Sequence, residues 1–192
     1  MVYDGLCQIP ELIDWWKWHP SRKEDPLKPL FARERIKRLL DQEKIPYRFI
    51  SHPEAHSALQ LAESIHVPER RVAKIVIVNA REEYGMVVLP AHLDFNQGQF
   101  SEAMGIHHVS LADERELKEI FPDCEVGAIP PFGTLYGLPV YVDQSLSEEP
   151  VIYFPAGSCH EAIEMRYEAF DRMAHPIAGR FASEPLKWKS RP

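Results

Sequence analysis

Two apolar runs lying close together constrain this chain more than any other feature: residues 72–79 (VAKIVIVN) and 85–89 (GMVVL), joined by Ala80-Arg-Glu-Glu-Tyr84. Short runs rich in β-branched residues, separated by a charged turn, predict a hairpin buried in a core sheet. A hairpin buried on both faces needs helices or a second sheet to cover it. With 192 residues, 45% of them hydrophobic, the chain has the material for one such core. Disordered, collagen-like and disulfide-scaffold architectures are excluded on the same ground.

Helical periodicity precedes and follows the hairpin. Ile36, Leu39 and Leu40 recur at helical spacing within residues 32–44, and Pro46 ends that helix before a short strand at 47–50. Ser57-Ala-Leu-Gln60 reads as a capping box opening a second helix that runs to about Ile65. A short helix over 99–104 stops at Gly105, and a strand at 108–111 leads into a helix begun by Asp113 and Glu116. Strands at 138–142 and 151–154 follow. Ser158 with Glu161 then reads as the cap of a final helix striped by Ile163, Tyr167, Phe170 and Met173. Strands and helices mix irregularly, which predicts an α/β (α+β mixed) domain on a mixed sheet. Residues 1–30, with Trp15, Trp16 and Trp18 among closely spaced prolines, form an extension. Residues 31–180 make the domain, and 181–192 a tail.

Charge limits the partners. Twenty-two basic residues against 29 acidic leave a net charge of -7, which excludes a protein that coats nucleic acid non-specifically. The balance is uneven: residues 1–48 carry 10 basic and 8 acidic side chains, leaving 12 and 21 for the rest. Arg33, Arg35, Lys37 and Arg38 are either a local basic face or a solvated helix surface. Three widely spaced cysteines without a CxxC suit a reducing, cytoplasmic setting. No apolar stretch is long enough to span a membrane, and no secretory leader is visible.

Four segments carry candidate chemistry. Lys74 is the one charge in its run, and an ammonium there requires an anionic partner or a position at a cleft. Gly127-Ala-Ile-Pro-Pro-Phe-Gly133 makes a stiff loop whose remaining N–H groups are available to an oxyanion, unless it is a plain turn. His52, His56 and Ser57 sit where a strand passes into a capped helix. Gly157, Ser158, Cys159 and His160 are expected at a helix start, an anion-attracting position. Adjacent helical residues point about 100° apart, so Cys159 and His160 do not make a nucleophile–base pair with each other. No metal site is predicted: the nine histidines contain no HExxH.

In order and spacing these segments resemble the YbaK family, the aminoacyl-tRNA deacylases related to the editing insertion of bacterial prolyl-tRNA synthetase. The matching features are His52-Pro53 with Ser57, Val72-Ala-Lys-Ile75, Val88-Leu-Pro90 with Leu93-Asp94, the GxxxP loop Gly127 to Pro131, Pro139-Val-Tyr-Val-Asp143 and Ala156-Gly-Ser158. They span about residues 32–178. The resemblance implies a twisted mixed β-sheet, a partial barrel, surrounded by helices. It also implies metal- and cofactor-free hydrolysis of the ester joining a wrong amino acid to tRNA, by a trans-acting protein. Lys74 and Gly127 take the catalytic positions. His52, His56, Ser57, Ile129, Pro130, Pro131, Gly157, Ser158 and His160 take the substrate-binding ones. The implied partner is the acceptor end of an aminoacyl-tRNA, with a synthetase or elongation factor delivering it. Ala91-His92 stands where the family often has Gly-Asp, and Asn96-Gln-Gly-Gln99 replaces its Leu/Lys-rich helix start. These departures leave a second reading: a non-catalytic tRNA- or protein-binding module that retains the fold.

Overall fold

Residues 73–90 form the hairpin their pattern predicts. Strand β2 (Ala73–Ala80) runs antiparallel to β3 (Glu83–Pro90), with Lys74 opposite Leu89. The computed structural model describes residues 31–80 and 83–185. The tryptophan-rich start, residues 81–82 and residues 186–192 therefore lie outside the described residues.

Three further strands complete the hairpin's sheet. β5 (Val109–Leu111) pairs antiparallel with β2, whereas β6 (Val140–Asp143) and β9 (Ile177–Gly179) add in parallel beyond β3, giving the order β5-β2-β3-β6-β9. A second sheet has the order β1-β8-β7, from β1 (Tyr47–Ser51), β7 (Val151–Ser158) and β8 (Glu161–Arg166). The two sheets touch at a parallel bridge between Val72 and Tyr153. A small pair, β4 (Asp94–Phe95) with β10 (Ala182–Ser183), closes one end.

Among the described residues six α-helices cover these sheets: α1 (Ala32–Gln42), α2 (Ala58–Ser64), α3 (Gln97–Met104), α4 (Glu114–Ile120), α5 (Gln144–Ser147) and α6 (Tyr167–Ala174). The main core lies between the sheets. Ile36 and Leu40 of α1 bury there with Ile77, Met86, Val142, Phe132, Phe154 and Phe170. A smaller cluster on the other face of the hairpin joins Val78, Val87 and Leu89 to Phe100, Tyr141 and Phe181. Fully buried Phe181 donates its N–H to Asp143, so the folded unit continues past residue 180.

Several helix ends obey their local chemistry. Asp113 and Glu116 exchange both hydrogen bonds of a capping box, and Gly105 ends α3 in the left-handed conformation. Ser57 accepts from the Gln60 N–H, but the Gln60 side chain reaches one residue beyond the box and accepts from the His56 N–H.

One expectation fails. Ser158 and Glu161 do not cap a helix. They face each other across the β7–β8 hairpin, Cys159 and His160 form its turn, and the helix begins only at Tyr167. Strand β8 lies between β1 and β7, and pairing along both edges outweighs the helical stripe that Ile163 shares with Tyr167 and Phe170. The helix N-terminus expected at Gly157–His160 is therefore a strand end and a turn.

The basic residues of α1 are also accounted for within the fold. Arg35 is buried, ion-paired with Asp123 at 2.8 Å and stacked over Tyr136. Arg33 pairs with Glu161 at 2.8 Å and lies over Phe49, while Lys37 pairs with Asp41 at 2.5 Å. Three of the four cations expected on one basic face are thereby engaged by carboxylates.

Candidate active site

A cavity of about 300 Å³ opens where β2, the start of α2 and the loop before β6 meet. The sheet supplies its floor through Ala73, Ile75 and Ile77. Leu111, Ala112 and Leu117 form one side, and Ala55, Ala58 and Leu61 the other. Lys74 lies in this lining, as do His52, His56, Ser57, Gly127, Ile129 and Ser158. No carboxylate belongs to it among the described residues. An apolar chamber with a few polar groups at its edge is the usual form of a small-ligand site.

Strand alternation puts Lys74 on the face of β2 opposite Ala73, Ile75 and Ile77, although it still belongs to the cavity lining. It shares a face of the hairpin with Val76 and Val78, whereas Val72 precedes β2 and packs with Leu61 and Ala62 instead. The Lys74 side chain is 26% exposed, and its ammonium lies 3.0 Å from the Asp94 carboxylate in β4. It therefore has both the anionic partner and the cleft position that its sequence context required.

Gly127 lies at φ +85°, and a Cβ there would come within 2.3 Å of the His56 carbonyl oxygen. Only glycine permits this approach of two backbones. The loop is fixed from behind by a bulge in β7. Between Pro155 and Ser158 the β7–β8 register shifts, and Gly157 takes φ +93°. The bulge turns the Gly157 N–H to the Ala128 carbonyl (3.0 Å) and its carbonyl to the Glu125 N–H (2.9 Å). The Gly127 N–H itself has no acceptor among the described residues.

Four of the expected binding residues lie elsewhere. Pro130 and Pro131 are buried and do not belong to the lining. Gly157 lies against Ala32 of α1, and His160 is exposed at the hairpin turn.

A contact unseen in the sequence lies under the rim. The Cys159 Sγ is 3.3 Å from His56 Nδ1, and His56 Nε2 is 3.2 Å from the Glu54 carboxylate. Cys159 thus meets a histidine 103 residues away rather than its neighbour His160. Its thiol is 3% exposed, and burial, assisted by Glu125, pushes its pKa up to about 11. It is a protonated thiol, not a nucleophile at rest. The Glu125 carboxyl is held below its ordinary value, chiefly by the Cys159 N–H it accepts at 2.6 Å.

Of the two histidines in the lining, only His52 keeps a ring nitrogen without a partner. Both His56 ring nitrogens are engaged. His52 Nδ1 is 2.7 Å from the Pro53 carbonyl, an acceptor only, which places the proton on Nδ1; Nε2 is buried without a partner.

The fold is shared with the hypothetical protein APE2540 at a TM-score of 0.71 and 19% identity, over 77% of this chain and 99% of that one. A candidate trans-editing enzyme for prolyl tRNA synthetase matches with 0.70 and 14%, over 79% and 97%. A protein assigned to signal transduction in Marinobacter aquaeolei VT8 matches with 0.62 and 15%, over 78% of this chain but 30% of its own. Identities this low establish the fold alone. No curated protein matches the chain by sequence. The profile of the aminoacyl-tRNA editing domain family, however, matches residues 52–173, well over half of the chain. The chain belongs to that family. Among the described residues no helix is long and apolar enough to cross a membrane.

Proposed function

We propose that the protein is a trans-acting aminoacyl-tRNA deacylase that hydrolyses the ester of mischarged tRNA. The observation that carries this reading is that one apolar cavity gathers Lys74, the Gly127 loop and the His52–Ser57 segment. The aminoacyl side chain enters the apolar chamber, whose small volume suits a compact group. The acceptor-end ribose remains at the rim, presented in solution or by a synthetase or elongation factor.

The chemistry asked of the protein is modest, because the ester is already activated. Water attacks the carbonyl carbon, the bond to the ribose oxygen breaks, and that oxygen takes a proton. The Gly127 N–H and the Lys74 ammonium supply charge stabilisation for the oxyanion, a contribution of several kcal/mol in a water-poor site, about 3 kcal/mol per donor. The neighbouring ribose hydroxyl of the substrate assists the water. Lys74 also meets the terminal phosphate–ribose.

The test is deacylation of a panel of aminoacyl-tRNAs by the purified protein. Release of the amino acid from at least one member, abolished by Lys74→Ala, is the expected result. Binding without turnover by the wild-type protein transfers the assignment to a non-catalytic module. Unchanged rates in Lys74→Ala remove Lys74 from the chemistry.

A further inference from the structure

We propose that Cys159 is a positioning residue of this site, holding the His56 wall of the cavity against the Gly127 loop through a thiol–imidazole hydrogen bond. The inference rests on the deacylase reading, which it extends to a residue outside the cavity lining.

Two acceptors compete for the one thiol hydrogen, His56 Nδ1 at 3.3 Å and the Val126 carbonyl at 3.6 Å, and the nearer is taken as its partner. The Glu54 carboxylate only accepts, so the His56 nitrogen facing it, Nε2, carries a hydrogen. Nδ1 then presents a lone pair to Cys159, and the thiol donates to it across 3.3 Å. The arrangement has the outline of a nucleophile, a base and an orienting carboxylate. Its burial is opposite to what a nucleophile needs. The sulfur sits beneath the wall while the His56 and Glu54 side chains are 62% and 61% exposed.

What Cys159 joins explains its value. Its carbonyl accepts from the Ala55 N–H at 2.9 Å, and its N–H goes to Glu125 at 2.6 Å. Its sulfur also lies 3.6 Å from the Val126 carbonyl. One residue thus bonds to both walls, the segment before α2 and the loop carrying Gly127. Between those walls the His56 carbonyl and the Gly127 Cα meet with no room for a methyl group. A displacement of either wall moves the Gly127 N–H away from the place where the oxyanion forms, and misplacements of this kind act on kcat.

The experiment compares Cys159→Ser, Cys159→Ala and His56→Phe, singly and with the last two combined, in steady-state deacylation and in the ¹⁵N spectrum of the His56 ring. The wild-type spectrum is expected to show Nε2 protonated and Nδ1 bare, with Nδ1 shifted in Cys159→Ala but not in Cys159→Ser. Loss of the single bond in Cys159→Ala is expected to lower kcat about tenfold at unchanged KM, and a serine hydroxyl to restore most of it. His56→Phe is expected to show the same loss, and the double variant no further one, as for two ends of one interaction. Wild-type kcat in Cys159→Ala, additive losses, or a wild-type ring protonated at Nδ1 overturns the proposal. Equal inactivity of the serine and alanine variants, with a trapped acyl-thioester in the wild type, overturns it in favour of a nucleophile. If the wild type cleaves no aminoacyl-tRNA, the deacylase reading and the catalytic role both fall, and the spectra alone decide whether the clamp exists.

Discussion

The Lys74 ammonium lies 3.0 Å from the Asp94 carboxylate, so the charge at the edge of the cavity is held by β4, twenty residues along the chain. Asp94 is 61% exposed, and an ion pair this open contributes at most about 1 kcal/mol to stability. Its value is directional: it keeps the ammonium at the rim rather than extended into solvent. Asp94→Asn is therefore expected to melt within a few degrees of wild type but to lower kcat for deacylation about tenfold, with Lys74→Ala far lower. A variant as fast as wild type separates the pair from catalysis.

Gly127 and Gly105 both adopt positive φ, +85° and +63°, but only Gly127 is crowded. No atom lies within 4 Å of a Cβ built at Gly105, whereas the His56 carbonyl is 2.3 Å from one at Gly127. Gly105→Ala should cost about 1 kcal/mol, the left-handed conformation alone. Gly127→Ala should cost about 2–4 kcal/mol, because backbone must shift as well, and should reduce activity beyond its loss of stability. Urea unfolding of the two variants gives the comparison directly.

Arg35 was legible only as one of several cations on a helix. In the fold it is 6% exposed, bonded to Asp123 and to the Leu135 carbonyl, and stacked over Tyr136. Arg35→Met leaves the Asp123 carboxylate nearly buried without its partner and is expected to cost about 3–5 kcal/mol in urea unfolding. Its loss should leave the KM for aminoacyl-tRNA unchanged in the fraction that remains folded.

What could be read in advance follows from how far apart the interacting residues lie. The core hairpin, the Asp113 capping box and the Gly105 stop are local, and periodicity or spacing reveals them. Lys74 was visible because one charge in an apolar strand is anomalous. The β7–β8 hairpin was misread because Ser158-x-x-Glu161 and the following apolar stripe satisfy a helical pattern, while the pairing that decides for strand comes from β1, more than a hundred residues earlier. The Cys159–His56 contact has no sequence signature at all, being made by a bulge, a turn and a loop converging across 103 positions. Pro130 and Pro131, though part of the recognisable GxxxP motif, stiffen the wall rather than face the cavity.

Acid should loosen the loop that carries Gly127. The Glu125 carboxyl is held below its ordinary value of 4.5, mainly by the Cys159 N–H. A depressed carboxyl contributes stability that is complete above the ordinary value and is lost as the pH falls through the folded one. Glu125→Gln keeps an acceptor oxygen but cannot titrate. Its melting temperature is expected to lie below wild type near pH 6 and to converge with it as the pH drops toward about 3. Parallel curves over that range exclude Glu125 as the group responsible.

The two described cysteines should resist alkylation at neutral pH and yield in a fixed order. Burial pushes Cys124 up to about 12, and burial with the Glu125 carboxylate pushes Cys159 up to about 11. At pH 7 only about one Cys159 thiol in 10⁴ is then a thiolate, the form that reacts. Iodoacetamide labelling followed by peptide mass spectrometry is expected to leave both unmodified at pH 7. As the pH rises, Cys159 should label ahead of Cys124. Because Cys159 lies beneath the cavity wall, a bound non-hydrolysable aminoacyl analogue is expected to slow its labelling at pH 9 without slowing that of Cys124. Rapid labelling of Cys159 at pH 7 contradicts the protonated, buried thiol and restores it as a candidate nucleophile.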